Sequence, residues 1–554
     1  MSGTGRGVGI TMMDLRDLSL ETQGLLLDKE IVFFFPVSQG IDYLQNLLII
    51  LNEDLVKPRT IHVIIFDGVT QRSRSHIWTK GEQRYRIWCA VQTIEKFNSI
   101  NPGFVTYELH SLKSLFKKPK KIKRLIDLKA NFKEDAAVYN SIRSVLASNH
   151  TRSALNDYPV KKFQKVIFNY LSDYKNSQAV VERVVSRNMS GNVTYIFLNG
   201  RHPSQAAIRS TLEKSNLKFL TFDWGEPGGK RILLENFQIQ ESLELQSYWI
   251  RIRKEYSLDE VNLARDFSLR WLKAQATSSH VNHYLTDVPI AESLIDRSEG
   301  MKLAVIFSSS ADEEIFNLPE NSNGWVDQVH ALRATSDFLS MNGFKVIVRI
   351  HPNASNKSWL DLARLVKSLE EAKVSYILPW DKTSSYELIH KADLVGTWIS
   401  RIGLEAACIG KPTFYLGIGP YAKAARIQTI DPCNLKTLLT LDLNPEDFDE
   451  KLITIFQIYN YGVDVEQFSN SPFIQETSIT RIVDFNRMKS IELIFYRLGK
   501  VLNRINLLRL PIFGQFGIPN MLLKLLPAFA RGKFGPILQS AYLKISILFL
   551  LKEI

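Results

Sequence analysis

The sequence predicts a doubly wound α/β protein of two units, and three observations carry that prediction. The chain has 554 residues, too many for one ordinary core, and 45% of them are hydrophobic. Short apolar runs alternate with helix-like periodicity, most regularly after residue 300. The runs are continuous in Val, Ile, Leu and Phe, as strands covered on both faces require, and parallel strands need crossover helices between them.

In the first half, IVFFFP (31–36) reads as a buried strand and SQGIDYLQNLLIILNE as the helix after it. IHVIIFDG (61–68) is a second strand ending in Asp67. A less legible basic stretch follows, then a helix over about 160–187, the strand TYIFLNGR (194–201), a helix through Lys214, and LKFLTFDWGEPGG. The segment 248–297 reads as a helical linker. From Met301 the order is strand KLAVIF, helix 326–341, strand FKVIVRI, helix 359–371, strand VSYIL, helix SSYELIHKA, strand DLVGTW, helix SRIGLEAACIG and strand PTFYL. That alternation is the pattern of a doubly wound sheet.

Composition narrows the class. Cys89, Cys408 and Cys433 have no paired or ligand-like spacing, so neither a disulfide framework nor a zinc site is expected. The first residues lack the apolar core of a secretory leader, and a reducing compartment is expected. The net charge of +12 is unevenly placed. From residue 486 to the end there are eleven Lys or Arg against Glu492 and Glu553, and a second basic cluster is LFKKPKKIKRL. Basic residues mixed with Leu, Ile and Phe favour an anionic membrane surface over nucleic acid. In the tail, Ile491, Ile494, Phe495, Leu498, Val501, Leu502 and Ile505 keep helical spacing, but prolines and charges interrupt any span. The tail is expected to lie on a bilayer or, alternatively, to pack on protein.

The chemistry is expected at strand ends. VIVRIHPN (346–353) sets Arg349, His351, Pro352 and Asn353 at the C-terminal end of a parallel strand, the edge at which such sheets bind ligands. A cation and an imidazole there can offset charge on a departing nucleotide phosphate; alternatively His351 caps a loop and Arg349 makes an ion pair. Ser400 is expected at the N-cap of the next helix, an anion site. Glu405, one turn in, can reach a ribose diol or pair with Arg401 at i, i+4.

These motifs resemble the capsular polysaccharide biosynthesis proteins that include capsule Kdo transferases. The resemblance runs through IFSSSADEE, GWVDQ, RIHPN, SSYELIHKADLV and SRIGLEAACIGKPTFYLG in order, with FLNGR and WGEPGG upstream. It implies a GT-B fold, two Rossmann-like doubly wound domains facing across a cleft. The division is then an extension (1–30), an acceptor domain (31–247), the linker (248–297), a nucleotide-sugar domain (298–485) and the basic amphipathic tail (486–554). It implies a glycosyltransferase that moves a sugar, a CMP-activated acidic sugar by analogy of the His-Pro pair, to a growing or lipid-linked surface polysaccharide. The setting is the cytoplasmic face of the plasma membrane, with polysaccharide export machinery as a partner.

The implied donor site is Ser308, Ser309, Gln328, Arg349, His351, Asn353, Ser400 and Glu405; Asn199 and Arg201 fall on the acceptor side. Asp67, Asp223 and Glu226 are candidate bases at first-half strand ends, Glu226 foremost. No cofactor besides the nucleotide-sugar substrate and no metal are expected, since Arg349, His351 and a helix end can compensate phosphate charge. The chain departs from the family pattern at Glu226-Pro227-Gly228 and at Arg401. The rival readings are transfer of a polyol phosphate from a CDP donor, nucleotide-sugar epimerisation, and an inactive membrane-bound assembly subunit.

Overall fold

A computed structural model describes residues 25–464 with breaks, the larger being 67–75, 111–135, 151–163, 252–257, 278–294 and 311–321, with 225–229 among the shorter ones. The basic cluster at 117–124, most of the N-terminal extension and the tail from 486 lie outside the described residues.

The first sheet contains β1 (Glu30–Pro36), β2 (Thr60–Phe66), β3 (Val105–His110), β4 (Val193–Leu198), β5 (Phe219–Trp224) and β6 (Lys230–Glu235). The helices of this half are α1 (Ile41–Leu51), α2 (His76–Ile100), α3 (Ala136–His150), α4 (Gln164–Arg187) and α5 (Pro203–Lys214). The strand order is β6-β5-β4-β1-β2-β3, with β1 to β5 parallel and β6 antiparallel to β5. Strand β1 shows why its apolar run is continuous. Phe33 and Phe35 join Leu44, Leu47 and Leu48 of α1 on one face, while Val32 and Phe34 join Val181 and Val184 of α4 on the other. Each fully buried side chain of this size contributes about 1.5–3 kcal/mol. The stretch that the sequence left illegible supplies α2, β3 and α3.

Helices α6 (Ser242–Arg251) and α7 (Leu258–Thr277) follow, α7 within the span read as a linker and α6 across its start at residue 248. The second sheet contains β7 (Lys302–Phe307), β8 (Phe344–Arg349), β9 (Ser375–Ile377), β10 (Leu394–Thr397), β11 (Thr413–Tyr415) and β12 (Gln428–Thr429). Its crossovers are α8 (Gln328–Met341), α9 (Trp359–Glu371), α10 (Ser385–Lys391) and α11 (Ile402–Cys408). The order is β12-β11-β10-β7-β8-β9, parallel throughout. Ala304 and Ile306 pack under α8 and α9, and Leu303, Val305 and Phe307 under α10.

The chain then turns back. Helix α12 (Phe448–Asn460) packs on α7, with Arg265 Nη2 2.6 Å from Asp449 Oδ1 and Ser268 Oγ donating to Leu452 O at 2.8 Å. Strand β13 (Val463–Asp464) adds antiparallel to β6. This corrects the expected division, which placed these residues wholly in the second domain: the last described strand belongs to the first sheet. One apolar cluster spans both halves, joining Ile232, Leu234, Tyr248 and Trp249 to Leu404, Tyr415, Ile427 and Ile455. Gln246 Nε2 donates to Gly419 O across it. The architecture is thus mixed α/β with two parallel-rich sheets, as a GT-B-like fold requires. Among the described residues no helix is long and apolar enough to cross a membrane.

Candidate functional site

In each sheet the strand order reverses once. The reversal lies between β1 and β4 in the first sheet and between β7 and β10 in the second, and neighbouring crossovers diverge there to leave a crevice at the C-terminal strand ends.

The second crevice gathers most of the residues selected from sequence. Strand β7 runs into Ser308 and Ser309, β8 into His351, and β10 into Ser400. The floor is hydrogen-bonded. Ser308 N donates to Arg349 O at 3.1 Å, and Ser308 Oγ accepts from His351 N at 2.9 Å. Ser309 Oγ accepts from Ile399 N at 3.3 Å. Its main chain is read by Gln328, whose Oε1 accepts from Ser309 N at 2.5 Å and whose Nε2 donates to Ser309 O at 3.3 Å. These bonds tie the ends of β7, β8 and β10 to the first residue of α8. Ser308, Ser309 and Gln328 are buried, so their side chains brace the floor.

The rim is more open. His351 and Ser400 are half-buried and Asn353 is exposed, in a 3₁₀ turn over Pro352–Asn356. Asn353 N donates to His351 Nδ1 at 3.1 Å. Nδ1 is therefore an acceptor, and the neutral ring carries its proton on Nε2. The loop-capping reading of His351 is the one this bond shows, and the cap fixes the tautomer.

Three expectations need correction. Arg349 does not sit at the rim; it is 2% exposed, and Nη1 and Nη2 donate to Leu378 O and Asp381 O at 2.5 and 3.0 Å. Burial lowers its pKa to about 10, with the Asp381 charge opposing, so it stays a cation near neutrality. It fastens the loop after β9, whose Asp381 Oδ1 in turn accepts from Thr383 N and Oγ1. Ser400 is not the N-cap of α11; Arg401 is, in right-handed helical geometry, and the helix is only seven residues long. Glu405 takes the ion-pair alternative. It is 3% exposed, with Oε1 2.9 Å from Arg401 Nε and Oε2 accepting from Tyr386 OH at 2.6 Å. Burial first, and the Glu405 charge next, push the Tyr386 phenol well up, so it remains a donor. Sequence reasoning did not select Tyr386, because nothing in SSYELIHKA shows that its ring faces α11. The first turn of α11 lies close on the sheet: a Cβ at Gly403 would meet Thr397 Cγ2 at 2.7 Å.

In the first crevice, Asn199 and Asp223 end β4 and β5. Asn199 is left-handed, at φ 54°, and its Nδ2 donates to Asp223 Oδ2 at 2.6 Å. A left-handed asparagine at a strand end is a strained position that its own side chain helps to hold. Asp223 is buried. Asp67, Arg201 and Glu226 lie outside the described residues.

No protein-family model and no curated protein matches the chain. Solved structures with a similar fold exist at low identity. A KpsC β-Kdo 2,4-transferase from Thermosulfurimonas dismutans is 14% identical over 47% of this chain and 78% of its own, with a TM-score of 0.32. A KpsC β-Kdo 2,7-transferase from the same organism is 15% identical over 52% and 86%, at 0.31. A UDP-GlcNAc 2-epimerase from Neisseria meningitidis, bound to UDP-GlcNAc, is 12% identical over 81% and 100%, at 0.28. None of these likenesses is close enough to transfer a function.

Proposed function

We propose that the chain is a nucleotide-sugar-dependent glycosyltransferase that extends a surface or capsular polysaccharide. The observation that carries the proposal is the switch-point crevice of the second sheet. There a His351 with a fixed Nε2–H tautomer stands at the rim above a floor braced by Ser308, Ser309 and Gln328. An N–H donor held at such an edge can stabilise the charge that grows on a nucleotide phosphate as the sugar leaves. The ordered motifs shared with capsular polysaccharide proteins support the same reading.

In this proposal the second sheet binds the donor, with His351 and Ser400 on the phosphate and Asn353 at the rim. The first sheet presents the acceptor beside Asn199, Arg201 and Asp223, and Glu226 is the base, with Asp67 and Asp223 as alternatives. A CMP-activated acidic sugar is the proposed donor and a growing or lipid-linked glycan the acceptor. Transfer is proposed to need no metal ion. The basic tail is proposed to hold the enzyme on the inner face of the plasma membrane, next to polysaccharide export machinery.

The test is product analysis with purified protein and separate CMP-sugar, UDP-sugar, GDP-sugar and CDP-glycerol donors, with and without EDTA. Release of nucleotide with sugar appearing on an acceptor or in water supports the proposal. Glycerol phosphate transfer, an isomerised intact nucleotide sugar, or silence with every donor would each replace it with one of the rival readings.

A further inference from the structure

We propose that Arg401 is the phosphate-binding cation of the donor crevice, aimed by a buried Glu405–Tyr386 pair; the proposal deepens the donor-site reading above and rests on it. Arg401 directly follows Ser400 at the end of β10, one strand from Ser308 across the switch point. Its side chain is 33% exposed, whereas that of its partner Glu405 is 4% exposed. The ion pair is thus asymmetric: the carboxylate is below the surface and the guanidinium reaches it.

Each part of the arrangement fixes the next. Tyr386, the second residue of α10, donates to Glu405 Oε2 at 2.6 Å, and the raised pKa of the phenol keeps that proton in place. Glu405 Oε1 then takes Arg401 Nε at 2.9 Å. A guanidinium is a rigid planar fork, so a contact at Nε sets the plane of the whole group. The fork geometry matches a phosphate.

The position is also set by the floor. Ser400 N donates to Thr397 Oγ1 at 3.3 Å, and Thr397 Oγ1 donates to Phe307 O at 3.2 Å, so the turn bearing Arg401 is tied to the end of β7. Arg349, the other arginine of this strand edge, is buried and committed to the carbonyls of Leu378 and Asp381. The cationic role expected of Arg349 therefore passes to Arg401, and the role expected of Glu405 becomes one of positioning.

The experiment is isothermal titration calorimetry of the full chain with CMP and UDP and with their nucleosides, cytidine and uridine. Arg401→Ala is expected to weaken nucleotide binding about 10- to 100-fold, the loss of a charged hydrogen-bond donor, with nucleoside binding unchanged. Arg401→Lys retains the charge and is expected to fall between. Glu405→Gln and Tyr386→Phe are expected to weaken nucleotides selectively and by less. Equal nucleotide affinity in Arg401→Ala and wild type overturns the proposal, and so does a loss shared by nucleotides and nucleosides. Wild-type protein that binds neither CMP nor UDP overturns this proposal, and the transferase reading falls with it when the GDP-sugar is also left untransferred. Phosphate-selective binding through Arg401 in a protein that transfers no sugar supports the subsite and removes only the transferase.

Discussion

The Nδ1 atom of His351 accepts the main-chain N–H of Asn353 at 3.1 Å, and this bond decides which face of the imidazole can donate. His351→Ala is expected to lower turnover about 100-fold or more while leaving the fold intact, since it removes charge stabilisation and no packed core. Steady-state kinetics alongside circular dichroism checks it. Wild-type turnover in a folded variant would end the phosphate role of this residue.

Glu226→Gln is expected to abolish transfer to the acceptor with nucleotide affinity nearly unchanged, because the proposed function assigns the two roles to different halves of the chain. Asp67→Asn and Asp223→Asn are the companion variants. Asp223 is held by Asn199 Nδ2, so Asp223→Asn is also expected to loosen the left-handed turn at Asn199. An active Glu226→Gln beside an inactive Asp223→Asn or Asp67→Asn moves the base to that residue.

Arg349→Met is expected to destabilise the protein by about 2–4 kcal/mol, because it leaves two carbonyls of the β9 loop without their donor inside the protein. Denaturant titration measures the loss. A stability equal to wild type would show that the loop stands without its clamp.

The edge strand β3 carries an acid-sensitive cluster. Burial pushes the Glu108 carboxyl up, but bonds and charge from His110 and His62 together pull it below the ordinary carboxylate range. A folded pKa below the unfolded one gives stability that is full above the unfolded value and is lost as pH falls through the folded value. Thermal melts between neutral and strongly acid pH are expected to show a shallower acid decline in Glu108→Gln. Parallel declines in the two proteins would remove Glu108 from that limb.

Truncation after Asp484 is expected to release protein from anionic liposomes while sparing nucleotide binding. Each Lys or Arg near an anionic surface adds about 1 kcal/mol, and the segment 486–554 has eleven of them. Co-sedimentation with anionic and neutral vesicles decides it. Equal pelleting of the two forms would leave the tail as a packing or oligomerisation element.

The strands that position the site were legible because runs such as KLAVIF and FKVIVRI are apolar on both faces. Strand β3, VTYELH, was not: at a sheet edge only Val105 is buried, and its other residues are exposed or half-buried, so no apolar run marks it. His351 was singled out because strand ends are where α/β sheets place ligands, whereas Ser308, Ser309 and Gln328 were selected only through the resemblance to capsular polysaccharide proteins. The roles of Arg349 and Glu405 were not legible, since each depends on a partner distant in sequence: Leu378 and Asp381 for one, Tyr386 for the other. Residue type announced charge at these strand ends; only burial showed that Arg349 is enclosed while Arg401 reaches the surface.

Strand β13 has a consequence for any attachment made downstream. Because Val463 and Asp464 pair with Arg231 and Lys230, residue 464 lies on the edge of the sheet that holds Asn199 and Asp223. In the proposed membrane role, a bilayer gripped by the basic tail would act on the protein through residues downstream of that edge. Under the proposed function, such tethering would concentrate the protein around an acceptor already in the lipid plane while its nucleotide-sugar donor arrives from solution.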